Sequence, residues 1–392
     1  MLISYRFNNF CSFYGDNEFS LETAVGKVKK RYPENYVDFE NGESCLKSAV
    51  IVGENAGGKS NFIQSIHFLK SLFEDNAAVR SVRSFINAES FVGEARPEQK
   101  FDISFVAGNE VIYEYCLTID EKRICSEKLF RRARKSFRNR LVFKAEWDPE
   151  KGGYKYDGDV GVILRNLDNS KSEGIGLFVT KLALLGNEHA VAVTDWMTND
   201  LYTETLTDQS EADYRRQEDD IKILKDPRYV EIFRMVDYSI SGIELDKERP
   251  YEKTIIIRED AEHNLMRREL QMDSAGVREF FAWAVQIYRV VYENKIIFAD
   301  EMDRVLNPVL SERVIAYING KEHRGQFIFS THNVLHLNLV TYMKEQIYFI
   351  TKSRETLTSE IYSLSDFPEV RYQNPKIYEF YMKGILGGTA FE

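Results

Sequence analysis

Apolar and polar residues alternate along the chain with two different periods, which predict strands in some segments and helices in others. Strand-type patterns occupy residues 3–10 and 18–21, so the chain opens in β structure. Residues 48–52 form an apolar run typical of a buried strand, and a glycine-rich stretch at 53–59 follows it. The next apolar positions have helical spacing, and they are Phe62, Ile63, Ile66, Leu69, Leu72 and Phe73. The pattern therefore predicts a strand, a loop and a helix in succession.

The middle of the chain contains a segment with a strand pattern and then an acidic segment with widely spaced apolar residues. Aromatic and β-branched residues alternate with polar ones over 100–117 around the turn Gly108-Asn109, which predicts a β-hairpin. A second turn is predicted at Gly152-Gly153. Residues 188–226 are acidic and poor in glycine and proline, with widely spaced apolar positions, so they are interpreted as a helical or mobile insertion.

Alternating elements return after this insertion. Strands are predicted at 254–258, 295–299 and 326–330, and helices at 276–292 and near 310–318. Strands and helices that alternate on both sides of an insertion indicate a discontinuous α/β domain. The predicted division is an N-terminal lobe with a β subdomain at 1–165, a helical insertion at 166–245 and a C-terminal lobe at 246–392.

Composition narrows the class of protein. Hydrophobic residues make up 43% and charged residues 29%, which excludes global disorder, and a net charge of −10 argues against a surface built for nonspecific nucleic-acid binding. The most apolar stretch, 280–292, is interrupted by Gln286 and Arg289, so no membrane span is expected. No secretory signal is recognisable, and we expect a cytoplasmic protein. The four cysteines lie far apart without zinc-site spacing.

The stretch from Gly53 to Ser60 fits the phosphate-loop pattern G-x-x-x-x-G-K-[ST] at every fixed position. Glycines let backbone N–H groups converge on phosphate oxygens, and the following helix adds positive partial charge at its N-terminus. Lys59 is expected to reach the β and γ phosphates, and Ser60 to offer a hydroxyl to Mg²⁺. The residues expected to hold the nucleotide here are Gly53, Glu54, Asn55, Ala56, Gly57, Gly58, Lys59, Ser60 and Asn61.

Two adjacent carboxylates end the apolar strand of residues 296–299. Open α/β sheets bind ligands at the carboxyl ends of their strands, so Asp300 suits a Mg²⁺ shell and Glu301 suits a general base acting on water. The alternative interpretation is a strand that ends in a solvated acidic turn.

A further apolar strand ends in the polar sequence Ser330-Thr331-His332-Asn333. A histidine at that strand end is suited to sensing the γ-phosphate. Two alternatives remain at this point: a purely structural histidine, or a metal pair formed with His336 at i, i+4 spacing, for which no third ligand is evident.

Ser274 and Gly276 precede the apolar-periodic helix of residues 277–292. A hydroxyl and free backbone N–H groups at a helix start form a second anion-binding position. The alternative is an ordinary N-cap.

Six of the ten residues from Arg131 to Arg140 are basic. Such a density can contact phosphodiesters or an acidic partner, and it can equally be a solvated surface segment.

Taken together, residues 48–69, 273–281, 296–308, 329–333 and 381–391 resemble the bacterial AAA15-type ATPases, of the ABC/SMC-like nucleotide-binding class. The resemblance covers both ends of the chain and is weakest at about 91–249. It implies a P-loop NTPase of α/β class, with an ABC-like ATPase head, an antiparallel β subdomain and the helical insertion.

By this resemblance the phosphate loop is Walker A, and Asp300 with Glu301 is Walker B with its catalytic acid. Residues 273–278 resemble the signature motif, and His332 matches the switch histidine. Asp303, Leu306, Asn307 and Pro308 match the D-loop region.

Two positions depart from the family's pattern. Cys11 stands where a basic residue is usual, and no Q-loop glutamine is identifiable, Gln99 being the nearest by position.

The resemblance implies an ATPase that uses ATP and Mg²⁺ in composite sites, shared by a homodimer of heads or a higher even-numbered oligomer. Because relatives of this kind often accompany a toxin or nuclease, we expect a nucleotide-dependent sensor or regulator with an effector partner in defence against phage. The alternatives are a DNA-associated ATPase or nuclease-complex subunit and a nonhydrolytic nucleotide-switch scaffold.

Overall fold

The computed structural model describes most of the chain, and all structural statements concern these residues: 1–23, 26, 28–40, 42–74, 98–120, 123–133, 136, 138–168, 176–203, 218–302, 306–372 and 377–387. The strands are β1 Leu2–Phe10, β2 Phe13–Ser20, β3 Tyr36–Asp38, β4 Ser44–Leu46, β5 Ser48–Val52, β6 Gln99–Val106, β7 Ile112–Ile119, β8 Ile124–Arg132, β9 Arg140–Asp148, β10 Gly153–Asp157, β11 Leu201–Tyr202, β12 Ile240–Glu244, β13 Ile255–Glu259, β14 Leu265–Glu269, β15 Ile296–Ala299, β16 Gln326–Thr331, β17 Ile347–Lys352 and β18 Ser359–Ser363.

Helices are observed where the apolar periods predict them, at 62–73, 276–292 and near 310–318, and further helices lie where no period was identified. The helices are α1 Lys59–Glu74, α2 Gly161–Asp168, α3 Phe178–Leu184, α4 Glu188–Asp195, α5 Glu218–Leu224, α6 Pro227–Phe233, α7 Pro250–Lys253, α8 Ala275–Glu293, α9 Pro308–Gly320 and α10 Ile377–Met382. No helix in the described part of the chain combines the length and apolar character needed to cross a bilayer.

One 13-stranded sheet, in the order β10-β9-β8-β7-β6-β1-β2-β18-β17-β5-β16-β15-β11, runs through the molecule. Its parallel part comprises β17, β5, β16, β15 and β11, whereas β1, β2 and β6 to β10 pair antiparallel. The α/β class with an antiparallel β subdomain is thus confirmed. A separate three-stranded sheet, β12-β13-β14, lies outside it.

Strand β5 shows why the central strands are apolar without interruption. Ala49 and Ile51 face the core that contains α1, whereas Val50 and Val52 face the core that contains α8. Parallel strands with both faces covered are predominantly apolar on both sides, so the alternation seen in a half-exposed strand disappears. The strand predicted at 48–52 is observed over the same residues.

The insertion contributes more than helices. Its described residues include α3 to α6, but Leu201 and Tyr202 also pair with Ile296 and Ile297 as the edge of the main sheet. This edge strand was not predicted, because two residues are too few to show a period. The domain bounds 1–165, 166–245 and 246–392 remain a prediction.

Strands β17 and β18 were also missed, although they flank β5 and β2 and close the gap between the two parts of the sheet. Their position next to the phosphate loop makes them important for the site.

Candidate functional site

The phosphate loop lies between the buried strand β5 and the first turn of α1, as predicted. Its glycines are required by close packing against β17: a Cβ on Gly53 would lie 2.2 Å from the carbonyl oxygen of Ile350, and one on Gly57 would lie 3.0 Å from the same atom. Ala56 and Gly58 have φ values of 60° and 119°. The loop therefore has a tightly supported path that larger residues would disturb.

Lys59 is 6% exposed, and its ammonium bends back over the loop. The Nζ atom donates hydrogen bonds to the carbonyl oxygens of Gly53 at 2.8 Å and Glu54 at 3.0 Å. Charged phosphate oxygens are stronger acceptors than carbonyl oxygens, so a phosphate bound in the loop can replace these carbonyl oxygens as the acceptor of Lys59 Nζ.

Asn61, also expected at the nucleotide, directs its side-chain amide to the turn between β1 and β2. Its Nδ2 donates to Ser12 Oγ at 2.8 Å, and Ser359 Oγ in β18 lies 2.8 Å from the same hydroxyl and 2.6 Å from the carbonyl oxygen of Gly57. Ser12 belongs to the stretch 8–13 that resembles a family motif, but its contact with Ser359 was not predicted, because residues so far apart in the chain form no local motif.

The carboxylates follow β15 directly. Asp300 is 6% exposed and accepts a hydrogen bond from Ser330 Oγ at the end of β16, and the same hydroxyl accepts one from the Glu301 backbone N–H at 2.8 Å. Glu301 has φ 49°, in the left-handed region that residues with a side chain adopt rarely and mainly at functional positions. Ser330 was not proposed from sequence as a partner of these acids, although it is a polar residue ending an apolar strand.

Strand order brings these groups together. Strand β16 lies between β5 and β15, with Thr331 opposite Val52 and Phe329 opposite Ala299. The phosphate loop, the polar end of β16 and the acid pair thus follow the carboxyl ends of three neighbouring parallel strands, where α/β sheets bind ligands. His332, the residue after β16, is exposed at this edge.

His336 has a different environment from His332. It is buried, with Nε2 3.0 Å from Ser311 Oγ and Nδ1 3.0 Å from the Tyr342 hydroxyl. Both ring nitrogens are therefore engaged in the core, which favours a structural role over the alternative of a metal pair with His332.

Ser274 caps helix α8, and Ser274, Ala275 and Gly276 are exposed. The Ser274 Oγ accepts a hydrogen bond from the Val277 N–H at 3.4 Å. Asp273, just before it, accepts from the Ser274 N–H at 2.9 Å and pairs with Arg258 at 2.8 Å, and Arg258 also pairs with Asp237 at 2.8 Å. The exposed helix start is thus held by an ion-pair network beneath it.

The positions that depart from the family's pattern have definite environments. Burial raises the pKa of Cys11 to about 11, so its thiol stays neutral at neutral pH and does not replace the positive charge of the usual basic residue. Gln99 is buried, and its Nε2 donates to the backbone oxygen of Asn9 at 2.8 Å.

The basic segment is partly engaged in structure. Arg132 forms a two-point ion pair with Glu43 at 2.6 and 3.0 Å, whereas Arg138 and Arg140 are exposed. Residues 134, 135 and 137 of this segment and Asp303 of the D-loop region lie outside the described residues. Asn307 caps α9 through the Leu310 N–H at 3.0 Å.

A phosphate loop and an acid pair on one sheet edge define the class of P-loop NTPases. The chain belongs to the family described as "AAA domain, putative AbiEii toxin, Type IV TA system", which it matches over residues 48–338. The expected resemblance to AAA15-type ATPases of the ABC/SMC-like class is thereby confirmed.

Similar solved structures are heads of SMC proteins. The SMC head domain from Thermotoga maritima is 16% identical with a TM-score of 0.43, covering 92% of this chain and 98% of that chain. An SMC head bound to the C-terminal winged-helix domain of ScpA is 14% identical with a TM-score of 0.49, covering 92% of this chain and 97% of that chain. A third structure, derived from Pyrococcus furiosus, is an SMC head with an extended coiled coil, bound to the C-terminal domain of ScpA. It is 13% identical with a TM-score of 0.45, covering 92% of this chain and 96% of that chain. No curated protein matches the chain.

Proposed function

We propose that the chain binds ATP with Mg²⁺ and hydrolyses it. The observation that supports this most directly is the convergence of the phosphate loop, His332 and the Asp300–Glu301 pair after the adjacent strands β5, β16 and β15. The residues fit the nucleotide, because a glycine-rich loop leaves its backbone N–H groups accessible to phosphate oxygens and the Lys59 ammonium lies beside the same loop, on the carbonyl oxygens of Gly53 and Glu54.

Each residue has a role that its position supports. Backbone N–H groups of residues 53–60 and the Lys59 ammonium bind phosphate oxygens, and the α1 N-terminus adds partial positive charge. Ser60 and Asp300 are the proposed ligands of Mg²⁺, which when bound neutralises charge on the phosphates. Ser330 donates a hydrogen bond to Asp300 and thereby orients this side chain.

Glu301 is proposed to take the proton from the attacking water, and His332 to hold the γ-phosphate in position. The left-handed backbone of Glu301 is tied to Ser330, which orients the residue at the end of its strand. None of these residues contacts a base, so the preference for ATP over GTP follows from the family alone.

Ser274 and Gly276 are proposed to complete the site of a second subunit. Their exposure at the start of the 19-residue helix α8 supports this, because an anion held by a partner subunit has access to the free N–H groups there. Two heads would then enclose two nucleotides, which predicts a homodimer or a larger even-numbered assembly.

For the biological role, we propose a cytoplasmic sensor whose nucleotide state controls a nuclease or toxin effector in anti-phage defence. The family description, which refers to a toxin and a toxin–antitoxin system, supports this direction. A DNA-associated role is the second candidate, favoured by the exposed Arg138 and Arg140, and stimulation of turnover by DNA would distinguish it.

Lys59→Ala tests ATP binding, and Lys70→Ala is its control. Lys70 lies in the same helix but pairs with Glu74 at 2.7 Å. Calorimetric titration with ATP and Mg²⁺ should show binding by the wild type and the control, and strongly weakened binding by Lys59→Ala. Equal binding by Lys59→Ala, or none by the wild type, would contradict the proposal.

A further inference from the structure

Three polar side chains from separate parts of the chain meet behind the phosphate loop. Ser12 follows β1, Asn61 lies in the first turn of α1, and Ser359 begins β18. Ser359 is fully buried and Ser12 nearly so. The backbone joins the same segments, since the Ser359 N–H donates to the Ser12 carbonyl oxygen at 2.7 Å.

The hydrogens of these groups can be arranged in only one complete direction. An amide Nδ2 only donates, and a carbonyl oxygen only accepts, whereas each hydroxyl has a single proton. Asn61 donates to Ser12 at 2.8 Å, and the Ser359 hydroxyl is placed as a donor to both Ser12 Oγ at 2.8 Å and the carbonyl oxygen of Gly57 at 2.6 Å. When its single proton goes to Gly57, the shorter of the two contacts, the Ser12 hydroxyl turns to donate to Ser359. The chain of bonds ends on the phosphate loop.

Holding the Gly57 carbonyl also sets the direction of the next N–H group. In a trans peptide the C=O and the following N–H point in opposite directions, so a Gly57 oxygen fixed toward Ser359 directs the Gly58 N–H away from β18. Glycines on both sides of this peptide make a flip sterically cheap. A buried hydroxyl bonded to the carbonyl opposes that flip, because the flip would leave the hydroxyl without its acceptor.

We propose that Ser359 is a positioning residue for nucleotide phosphates, which acts by holding the Gly57–Gly58 peptide in its binding orientation, and that Ser12 and Asn61 orient the Ser359 hydroxyl. This inference rests on the proposed nucleotide binding by the loop. It assigns Asn61 to the support of the loop rather than to direct contact with the nucleotide.

The order of the hydrogen bonds from Asn61 through Ser12 and Ser359 to Gly57 predicts how the effects of variants combine. Ser359→Ala removes the bond to Gly57 and should weaken binding of ADP with Mg²⁺ about tenfold, the effect of one well-placed hydrogen bond. Ser12→Ala removes the hydroxyl that orients Ser359 but leaves the bond from Ser359 to Gly57, so ADP affinity should fall by a smaller factor. Because Ser12 acts through Ser359, the double variant should bind ADP like Ser359→Ala alone.

Calorimetric titration with ADP and Mg²⁺ tests this without turnover. Ser363→Ala is the matched control, since Ser363 is a buried serine of the same strand whose hydroxyl donates to Lys344 instead. Thermal unfolding without nucleotide verifies that each variant is folded. Wild-type affinity in Ser359→Ala, or a double variant whose loss equals the product of the single losses, would overturn the inference. Absence of ADP binding by both wild type and Ser363→Ala would instead overturn the proposed nucleotide binding.

Discussion

Ser330 and Asp300 are hydrogen-bonded between two neighbouring parallel strands, with the serine hydroxyl as donor to the carboxylate. The register of β15 and β16, with Ala299 opposite Phe329, places the two residues side by side just where the strands leave the core. The same hydroxyl accepts the Glu301 N–H at 2.8 Å, so one side chain positions both acids.

Replacing Ser330 with alanine should therefore disturb both members of the acid pair. Asp300 loses the hydrogen bond that orients it, and Glu301 loses the bond that supports its left-handed backbone. We expect weaker Mg²⁺ binding, measured as a half-saturating Mg²⁺ concentration for ATPase activity that is raised about tenfold. Ser330→Thr, which keeps the hydroxyl, is the control, and an unchanged Mg²⁺ titration in Ser330→Ala would contradict the assignment.

Glu301→Gln tests the general base. The amide retains the size of the side chain but takes up no proton, so hydrolysis should slow by roughly 10² to 10⁴ while ATP and Mg²⁺ remain bound. Single-turnover hydrolysis and nucleotide affinity, measured on the same preparation, separate the two effects. Turnover at the wild-type rate with normal affinity would mean that another group is the base.

Ser274→Arg tests the site shared between subunits. The new side chain occupies the exposed start of α8, so ATP binding to the monomer should persist while ATP-driven association and hydrolysis are lost. Lys59→Ala should fail for the opposite reason, because its phosphate loop is defective and its helix start is intact.

Mixing these two variants gives the sharper measurement. In the mixed dimer, one site combines both defects and the other is intact, so partial hydrolysis should return. If the two sites must act together, ATP should still be trapped at the intact one. Mixed dimers verified by mass that show neither activity nor trapped nucleotide would contradict sharing between subunits.

Glu127 predicts a pH dependence of stability outside the nucleotide site. This fully buried carboxyl accepts the N–H groups of Phe178 and Val179 at 2.7 and 2.8 Å, and burial raises its pKa from 4.5 to about 7 despite those bonds. Between these two values the folded chain holds a proton that the unfolded chain releases. The contribution of Glu127 to the free energy of unfolding therefore falls as pH rises through this window, by about 3 kcal/mol.

Glu127→Gln should remove this dependence, because the amide does not titrate. Its absolute stability at low pH should be lower, since one carbonyl oxygen replaces two acceptors for the two N–H groups. Urea unfolding at pH 5, 6 and 7.5 measures the difference between wild type and variant. Parallel curves for the two proteins would show that Glu127 does not titrate in this range.

Local patterns in the sequence were sufficient to locate an element and its candidate site residues wherever both lie in one short segment. The phosphate loop, the strand ending in Asp300 and Glu301, and helix α8 with its Ser274 cap all lie where the pattern predicts them. Each combines an apolar run, whose period reveals the element, with polar residues at its end. The chemical roles expected for these residues remain predictions until nucleotide is bound.

What only the tertiary structure decided is which of these ends are neighbours and what supports them. Strand order placed β16 between β5 and β15, so that Ser330 reaches Asp300, and folding brought Ser12 and Ser359 together behind Gly57. The sequence by itself determined the elements and their reactive ends, because those depend on residues within a few turns or strand positions. Contacts between residues hundreds of positions apart depend on how sheets and helices pack, and a hydroxyl that has no local partner shows no period or motif by which its role could be recognised.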